Sequence, residues 1–243
     1  MNIALITAAG KGERTGQDIP KQFIHIENKP VIIYTLEAFQ NHPSIDNILV
    51  VCLDGWHDIL KSYSKQYNIT KLFKVISGGE SVQESLRNGV FALEDICSGD
   101  DNVIIHDGVR PLVENDVLSD VIVKCNAHGN AVASLPYNEQ IFVKDDDDCS
   151  TKKYIPRDTL CRVQTPQCYK YEKLLWGYRE AFKNGIGIFG SAYTNTMMVD
   201  LGEKLFFAKG SEKNLKVTTV EDIEIFKALL KSENDDYIKV KMR

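Results

Sequence analysis

Positive charge is scarce in this chain of 243 residues: 29 Lys and Arg stand against 34 Asp and Glu, a net charge of −5. A protein that grips nucleic acid or an anionic membrane through charge needs the opposite balance, so neither partner is expected. Long apolar runs are missing as well. No stretch reaches the ~18 apolar residues of a membrane span, and no basic segment leads an apolar core near Met1, so the expected location is the cytoplasm. Cysteine is present but unorganised. Cys52, Cys97, Cys125, Cys149, Cys161 and Cys168 contain no Cys-x-x-Cys pair, which speaks against a zinc site or a disulfide frame and for reduced thiols. Two common phosphate loops are also absent: there is no Gly-x-Gly-x-x-Gly, and no Gly-Lys-Ser/Thr follows Lys11.

What is there begins at the first residues. An apolar run, Ile3-Ala4-Leu5-Ile6, empties into Ala8-Ala9-Gly10-Lys11-Gly12-Glu13-Arg14-Thr15-Gly16, and Pro20-Lys21-Gln22 follows. Small residues let backbone N–H groups reach phosphate oxygens, and nearby cations balance the charge. A triphosphate asks for both. Glycines after a first strand also serve an ordinary tight turn, so this segment alone leaves the choice open.

Further on, short apolar runs alternate with helical patterns. Strands are predicted at 2–7, 47–53, 73–77, 102–106, 130–135 and 204–208. Helices are predicted at 30–41, 55–66, 80–95, 114–128, 170–183 and 219–232. Ser77 and Gly78-Gly79 stand before the third helix, and Glu114 to Asp116 put acid at the start of the fourth. Such alternation predicts an α/β fold with a mostly parallel sheet covered on both faces, whose ligands bind beyond the carboxyl ends of the strands. From 136 to 168 the pattern changes. Ile141-Phe142-Val143 and Lys152–Ile155 read as two short strands joined by the acidic tip Asp145–Asp148, an arm leaving the domain. The tip lacks the Gly and the terminal Glu of a calcium loop. Trp56 and Trp176 are expected in the core, Tyr137 and Phe142 in the arm. His25, His42, His57 and His128 have no ligand spacing and are expected in packing or surface roles.

A second motif, His106-Asp107-Gly108-Val109-Arg110-Pro111, directly follows a predicted strand. An Asp at that edge can hold Mg²⁺ against nucleotide phosphates, and an Arg three residues on can fork to a phosphate. An Asp-Gly turn with a surface Arg is the plainer alternative.

Taken in order, Ala8-Ala9-Gly10-Lys11-Gly12-x-Arg14, Pro20-Lys21-Gln22, Gly78-Gly79-Glu80, His106-Asp107-x-x-Arg110-Pro111, Gln164-Thr165-Pro166-Gln167 and Asn214-Leu215-Lys216-Val217 span nearly the whole chain. This series resembles the cytidylyltransferase family of 2-C-methyl-D-erythritol 4-phosphate cytidylyltransferase and its ribitol-5-phosphate relatives. The resemblance implies a single nucleotidyltransferase domain over 1–243, a Rossmann-like three-layer sandwich, with residues 136–160 forming a β-arm for homodimerisation. It implies that Ala8, Ala9, Gly10, Lys11 and Gly12 surround the triphosphate of CTP, and that Gly79, Glu80 and Ser85 hold the base. Arg14, Lys21 and Lys216 are the implied catalytic cations, and Asp107 the implied Mg²⁺ ligand. Arg110, Gln140, Arg157, Thr165 and Lys213 are the residues expected at the acceptor.

Departures from the family pattern cluster at the acceptor. Glu139-Gln140 stands where Asp-Thr is usual, Tyr193-Thr194-Asn195-Thr196 carries no acid, Lys213 replaces an Asp, and Val82 replaces an Arg. Lost carboxylates and a gained Lys change which hydroxyl pattern can be bound. Gln164 and Lys209-Gly210 are similar to the ribitol branch. The expected reaction is therefore CTP-dependent conversion of an alditol phosphate to a CDP-alditol and pyrophosphate, feeding a cell-surface polymer such as a teichoic acid or capsule. Methylerythritol phosphate as acceptor is the first alternative, and a sugar-phosphate enzyme using another nucleotide the second.

Overall fold

The computed structural model describes residues 1–10, 19–147, 149–190 and 193–232. Its centre is a seven-stranded sheet. The strands in chain order are β1 (Asn2–Ala8), β4 (Asn47–Cys52), β5 (Leu72–Ser77), β6 (Asn102–Asp107), β7 (Asn130–Pro136), β10 (Cys161–Lys170) and β11 (Phe207–Lys209). Across the sheet they run β11-β7-β10-β6-β1-β4-β5. Every pairing is parallel except those of β10, which is antiparallel to both β6 and β7. Two minor hairpins complete the strands: β2 (His25–Ile26) with β3 (Lys29–Pro30), and β8 (Ile141–Val143) with β9 (Lys153–Ile155).

Period-two alternation explains why β1 reads as one continuous apolar run. Ala4, Ile6 and Ala8 face one helical layer while Ile3 and Leu5 face the other, and all five are buried. The first layer contains α1 (Val31–Asn41), α2 (His57–Gln66) and α4 (Asn115–His128), packing Leu36, Phe39, Leu60, Leu118 and Val121 on the sheet. The second contains α3 (Val82–Phe91), α5 (Tyr171–Asn184) and α6 (Thr194–Asp200), with Leu86, Val90, Leu174, Tyr178 and Met198. A third, smaller cluster docks α7 (Val220–Ser232) through Ile223 and Phe226 onto Ile26, Val31, Val109 and Val217. That contact ties the end of the chain to the turn after β6. Helix ends follow local rules: α4 stops at Gly129 with φ +87° and α5 at Gly185 with φ +70°.

Three expectations need correction. Directly after the arm expected at 136–160 no strand is predicted, yet residues 161–170 form β10, which runs through the middle of the sheet. Its polar Gln164 and Gln167 are buried and hydrogen-bonded, Gln164 to Ser211 and Gln167 to the Tyr169 hydroxyl. The cap of α3 is Ser81, whose hydroxyl accepts from Glu84 N at 3.1 Å while the Glu84 carboxylate accepts from Ser81 N, so the helix starts at Val82 rather than at residue 80, and residues 78–80 form the loop after β5. Trp176 is half-exposed beneath the Lys173 ammonium rather than in the core. Trp56 does pack inward, stacked on Phe23 at 4.5 Å. In the arm, Phe142 and Tyr154 face each other across β8 and β9, and both are exposed.

Candidate active site

The carboxyl ends of β1, β4 and β6 open into a cavity of about 1250 Å³. Thr7, Ala8, Ala9 and Gly10 line it from β1, Leu53 and Asp54 from β4, and Asp107 and Val109 from β6. Gly78, Gly79, Glu80, Ser81, Val82 and Ser85 close one side, and Lys21, Gln22, Tyr193, Lys216 and Thr218 the rest. Thr7 and Asp107 are paired residues on adjacent parallel strands, so the two sequence motifs meet because the sheet register brings them together.

Close backbone approach explains the glycines. A side chain on Gly78 would stand in the space of Ala9 and within 3.0 Å of Ser85 Oγ. The loop after β5 thus lies directly on the loop after β1. Gly79 N–H donates to Ser85 Oγ at 2.9 Å, and Glu80 N–H to the Glu84 carboxylate at 2.8 Å. At Gly108, a Cβ would stand 3.0 Å from the Thr7 carbonyl, which already accepts Gly108 N–H at 2.9 Å.

Asp107 is the electrostatic centre. Its Oδ2 takes Lys216 Nζ at 3.0 Å and Arg110 Nε at 3.1 Å, and its backbone N–H donates to Thr165 Oγ1 at 3.1 Å. Burial pushes the carboxyl upward, but Lys216, then Arg110 and His106, outweigh it and hold the group at about 2. Asp107 is therefore an anion throughout the physiological range. Arg110 also donates to Asn214 O at 2.7 Å, and Asn214 donates to Thr165 O at 2.7 Å. These bonds fasten residues 214–217 to the end of β6, and Val217 N–H to Val109 O at 2.8 Å adds to them. Lys216 lies between the Asp107 carboxylate and the face of Tyr193, 5.7 Å from the ring centre. Beneath this, His106 is fully buried. Its Nε2–H donates to Arg110 O at 3.1 Å, its Nδ1 has no hydrogen-bond partner among the described residues, and burial lowers its pKa to about 4.

The cavity brings together Ala8, Ala9, Gly10, Lys21, Gly79, Glu80, Ser85, Asp107 and Lys216 from the expected set. Lys11, Gly12 and Arg14 lie outside the described residues. Arg110 and Thr165 touch Asp107 from behind and brace it. Gln140, Arg157 and Lys213 are not among the lining residues. Gln140 precedes β8 in the arm, Arg157 donates to Asn138 O at 3.3 Å at the arm's base, and Lys213 Nζ lies 3.7 Å from Glu114. Sequence reasoning missed Tyr193, Asp54 and Thr218 as lining residues, and Asn214 and Gln164 as the clamp on 211–214. Asn214 and Gln164 stood in motifs of the series and Tyr193 in a departure from the family pattern, but nothing in the sequence signalled these roles, and Asp54 and Thr218 had no signal.

Mg²⁺ prefers one or two carboxylates completed by substrate phosphates and water, rather than an all-protein cage. The donor set agrees: Asp107 offers one ionised carboxylate beside the phosphate loop, and the described residues contain no group of three or more metal-ligating side chains.

The family model described as "IspD: 2-C-methyl-D-erythritol 4-phosphate cytidylyltransferase" matches residues 2–232. Ribitol-5-phosphate cytidylyltransferase of Lacticaseibacillus paracasei is 56% identical over 233 residues, covering 96% of this chain and 99% of that protein. The 2-C-methyl-D-erythritol 4-phosphate cytidylyltransferase of Clostridium acetobutylicum is 36% identical over 236 residues, 96% and 99% of the two chains. Among solved structures, 4-diphosphocytidyl-2C-methyl-D-erythritol synthase of Anaerococcus prevotii superposes with a TM-score of 0.81 at 24% identity, over 95% of this chain and 98% of that one, a likeness of fold. With its Asp107–Lys216 pair at the carboxyl edge of the sheet and these full-length matches, the chain belongs to the IspD family of cytidylyltransferases, which are nucleotidyltransferases.

Proposed function

We propose that this protein transfers the cytidylyl group of CTP to ribitol 5-phosphate, releasing pyrophosphate and forming CDP-ribitol. The observation that carries the acceptor is the 56% identity to a ribitol-5-phosphate cytidylyltransferase across nearly the whole of both chains, against 36% to a methylerythritol phosphate enzyme. The cleft supports the chemistry. A phosphate oxygen of the acceptor attacks the α-phosphorus of CTP, that P–O bond forms as the bond to the β-phosphate oxygen breaks, and pyrophosphate carries off the electron pair. The attacking oxygen is already ionised, so no general base is needed. The obstacle is repulsion between two polyanions, and fixed cations aimed at the reacting phosphates lower it.

In this reading Lys21 and Lys216 face the phosphates from two sides of the cavity, with Arg14 and Lys11 of the same loop as further cations. Gly78-Gly79-Glu80 and Ser85 receive the base through backbone groups. Asp107 would hold Mg²⁺, which when bound neutralises triphosphate charge. Arg110 and Thr165 keep the Asp107 carboxylate in place. Gln140 and Arg157, distant from this chain's own cavity lining, act on the acceptor of a second copy, so the arm makes a homodimer with its exposed Phe142 and Tyr154. Lys213 turns from Glu114 to the acceptor when the site fills. The enzyme works in the cytoplasm, supplying an activated alditol for a cell-surface polymer.

The test is pyrophosphate release with each of four nucleoside triphosphates, against ribitol 5-phosphate, glycerol phosphate and methylerythritol phosphate. The expected result is turnover with CTP and ribitol 5-phosphate far above every other pair. Faster turnover with methylerythritol phosphate or another nucleotide rejects the proposal.

A further inference from the structure

We infer that Gln22 is a positioning residue for the nucleotide: its side-chain amide sets the backbone of Ala8-Ala9-Gly10 and the placement of that segment against Lys21. The inference rests on reading the cleft as a CTP site, and goes beyond it by naming what holds the loop.

Gln22 is 1% exposed. A polar side chain at that depth is costly unless its hydrogen bonds are made. Both are. Its Nε2 donates to Ala8 O at 2.7 Å and to Gly10 O at 3.0 Å, so the two amide protons are spent on two carbonyls of one loop. Because the C=O and N–H of a trans peptide point in opposite directions, drawing the Ala8 carbonyl to Gln22 turns the Ala9 N–H away from it. Successive N–H groups aimed this way form the concave anion cradle of a phosphate loop. Among the described residues nothing lies within 4 Å of where a Gly10 Cβ would be, and Gly10 lines the cavity, so at Gly10 the described anchor is a hydrogen bond rather than side-chain packing.

The other end of the tether is rigid. Gln22 sits in a single 3-10 turn, Lys21–Phe23, in which Phe23 N–H donates to Pro20 O at 2.8 Å. Phe23 is buried and stacked on Trp56 at 4.5 Å. Lys21 precedes Gln22 in the same turn and lines the same cavity. One side chain therefore couples the core-anchored turn that carries Lys21 to the backbone that would cradle the triphosphate. An oxygen in place of the nitrogen would face two carbonyl oxygens, and an apolar side chain of similar size would fill the space while holding neither.

Two variants test this, each scored for CTP affinity by calorimetry and for steady-state KM and kcat, with melting curves alongside. Gln22→Met removes both bonds at similar volume. Its KM for CTP should rise about tenfold to a hundredfold, kcat should fall, and KM for the acceptor phosphate should stay within about twofold of wild type. Gln22→Glu should be worse than Gln22→Met at pH 8. Protonation of that buried carboxyl returns one donor, so its CTP affinity relative to wild type should recover toward pH 5.5. Taking the ratio to wild type at each pH cancels whatever is common to both proteins, including the charged lining groups Lys21, Asp54, Glu80, Asp107 and Lys216. A lower melting temperature with an unmoved KM for CTP, or a flat ratio across pH, overturns the assignment, and either folded variant decides it alone. If wild-type protein does not bind CTP, the reading of the cleft fails with it. If it binds CTP but does not turn over ribitol 5-phosphate, only the acceptor reading fails and the Gln22 test stands.

Discussion

On the proposed reading the cleft has a nucleotide half and an acceptor half, and the two are built on different principles. The nucleotide half is made from short loops at strand ends: Ala8-Ala9-Gly10 after β1 and Gly78-Gly79-Glu80 after β5. They touch because Gly78 leaves Ala9 room, and the capping box of Ser81 and Glu84 starts α3 just beyond them. The acceptor half draws on side chains far apart in the sequence. Asp107 is braced by Arg110, Thr165 and Lys216, while Gln140, Arg157 and Lys213 lie away from the cavity lining. Recognition by backbone demands a particular sequence at a particular place and leaves little freedom. Recognition by side chains on an arm and a late loop can change one residue at a time. That difference explains how members of one family, on one sheet, can serve different acceptors.

The sharpest way to break this comparison is Lys216→Ala. Lys216 stands at the junction of the halves, and removing one preorganised cation should cost on the order of 10²- to 10³-fold in turnover, with far-UV circular dichroism near wild type and a lowered melting temperature because Asp107 loses a partner. Near-normal turnover would remove Lys216 from the mechanism. The floor beneath both halves answers to pH instead. The folded pKa of His106, about 4, lies below its ordinary 6.5, so the unfolded chain takes up the proton first as pH falls. Stability from this group is full above pH 6.5 and declines toward pH 4 by about 3 kcal/mol, a window in which Asp107, ionised down to about 2, adds nothing. Denaturant titration from pH 7 to pH 4 should show that decline, and His106→Gln should flatten most of it. His42, also lowered by burial, leaves the remaining slope.

Within the nucleotide half, Gly78→Ala forces a methyl group into Ala9. A strain of about 1–3 kcal/mol, released by parting the loops, should raise KM for CTP and leave KM for the acceptor unmoved. The smallest effects belong to the acceptor half. Arg157→Ala, Gln140→Ala and Lys213→Ala should each raise KM for the acceptor by about tenfold or less, with KM for CTP unchanged. For the two arm residues the effect should come with dependence on a second copy: Phe142→Ser should lower sedimentation mass and acceptor affinity together. If these variants raise KM for CTP instead, the division into halves is wrong.

The same contrast governs what was legible in the sequence. Strands buried on both faces announce themselves as apolar runs, and β1, β4, β6 and β7 fall within a residue of expectation at each end, as does the partly exposed edge strand β5. That Ala8-Ala9-Gly10, Gly78-Gly79-Glu80 and Asp107 would meet at one sheet edge was readable because each lies in a contiguous motif at the carboxyl end of a strand. β10 was not readable. Its Gln164-Thr165-Pro166-Gln167 looks like a loop, and the partners that make those polar groups tolerable, Ser211 and Tyr169, include one 47 residues away. α6 is seven residues long, too short to show a period. Tyr193 as a lid on Lys216, and Asn214 as the strap that ties its loop to Thr165, are products of tertiary packing that no spacing rule encodes.

The central claim is that this cleft joins CTP to ribitol 5-phosphate in preference to methylerythritol phosphate. It is tested most directly in a single reaction holding CTP, Mg²⁺ and the two acceptors at equal concentration, with both CDP products quantified by mass spectrometry at early times. The account predicts CDP-ribitol in excess by about a hundredfold or more, the discrimination expected of a site that hydrogen-bonds its substrate's hydroxyls. Equal products, or an excess of the methylerythritol product, would contradict it.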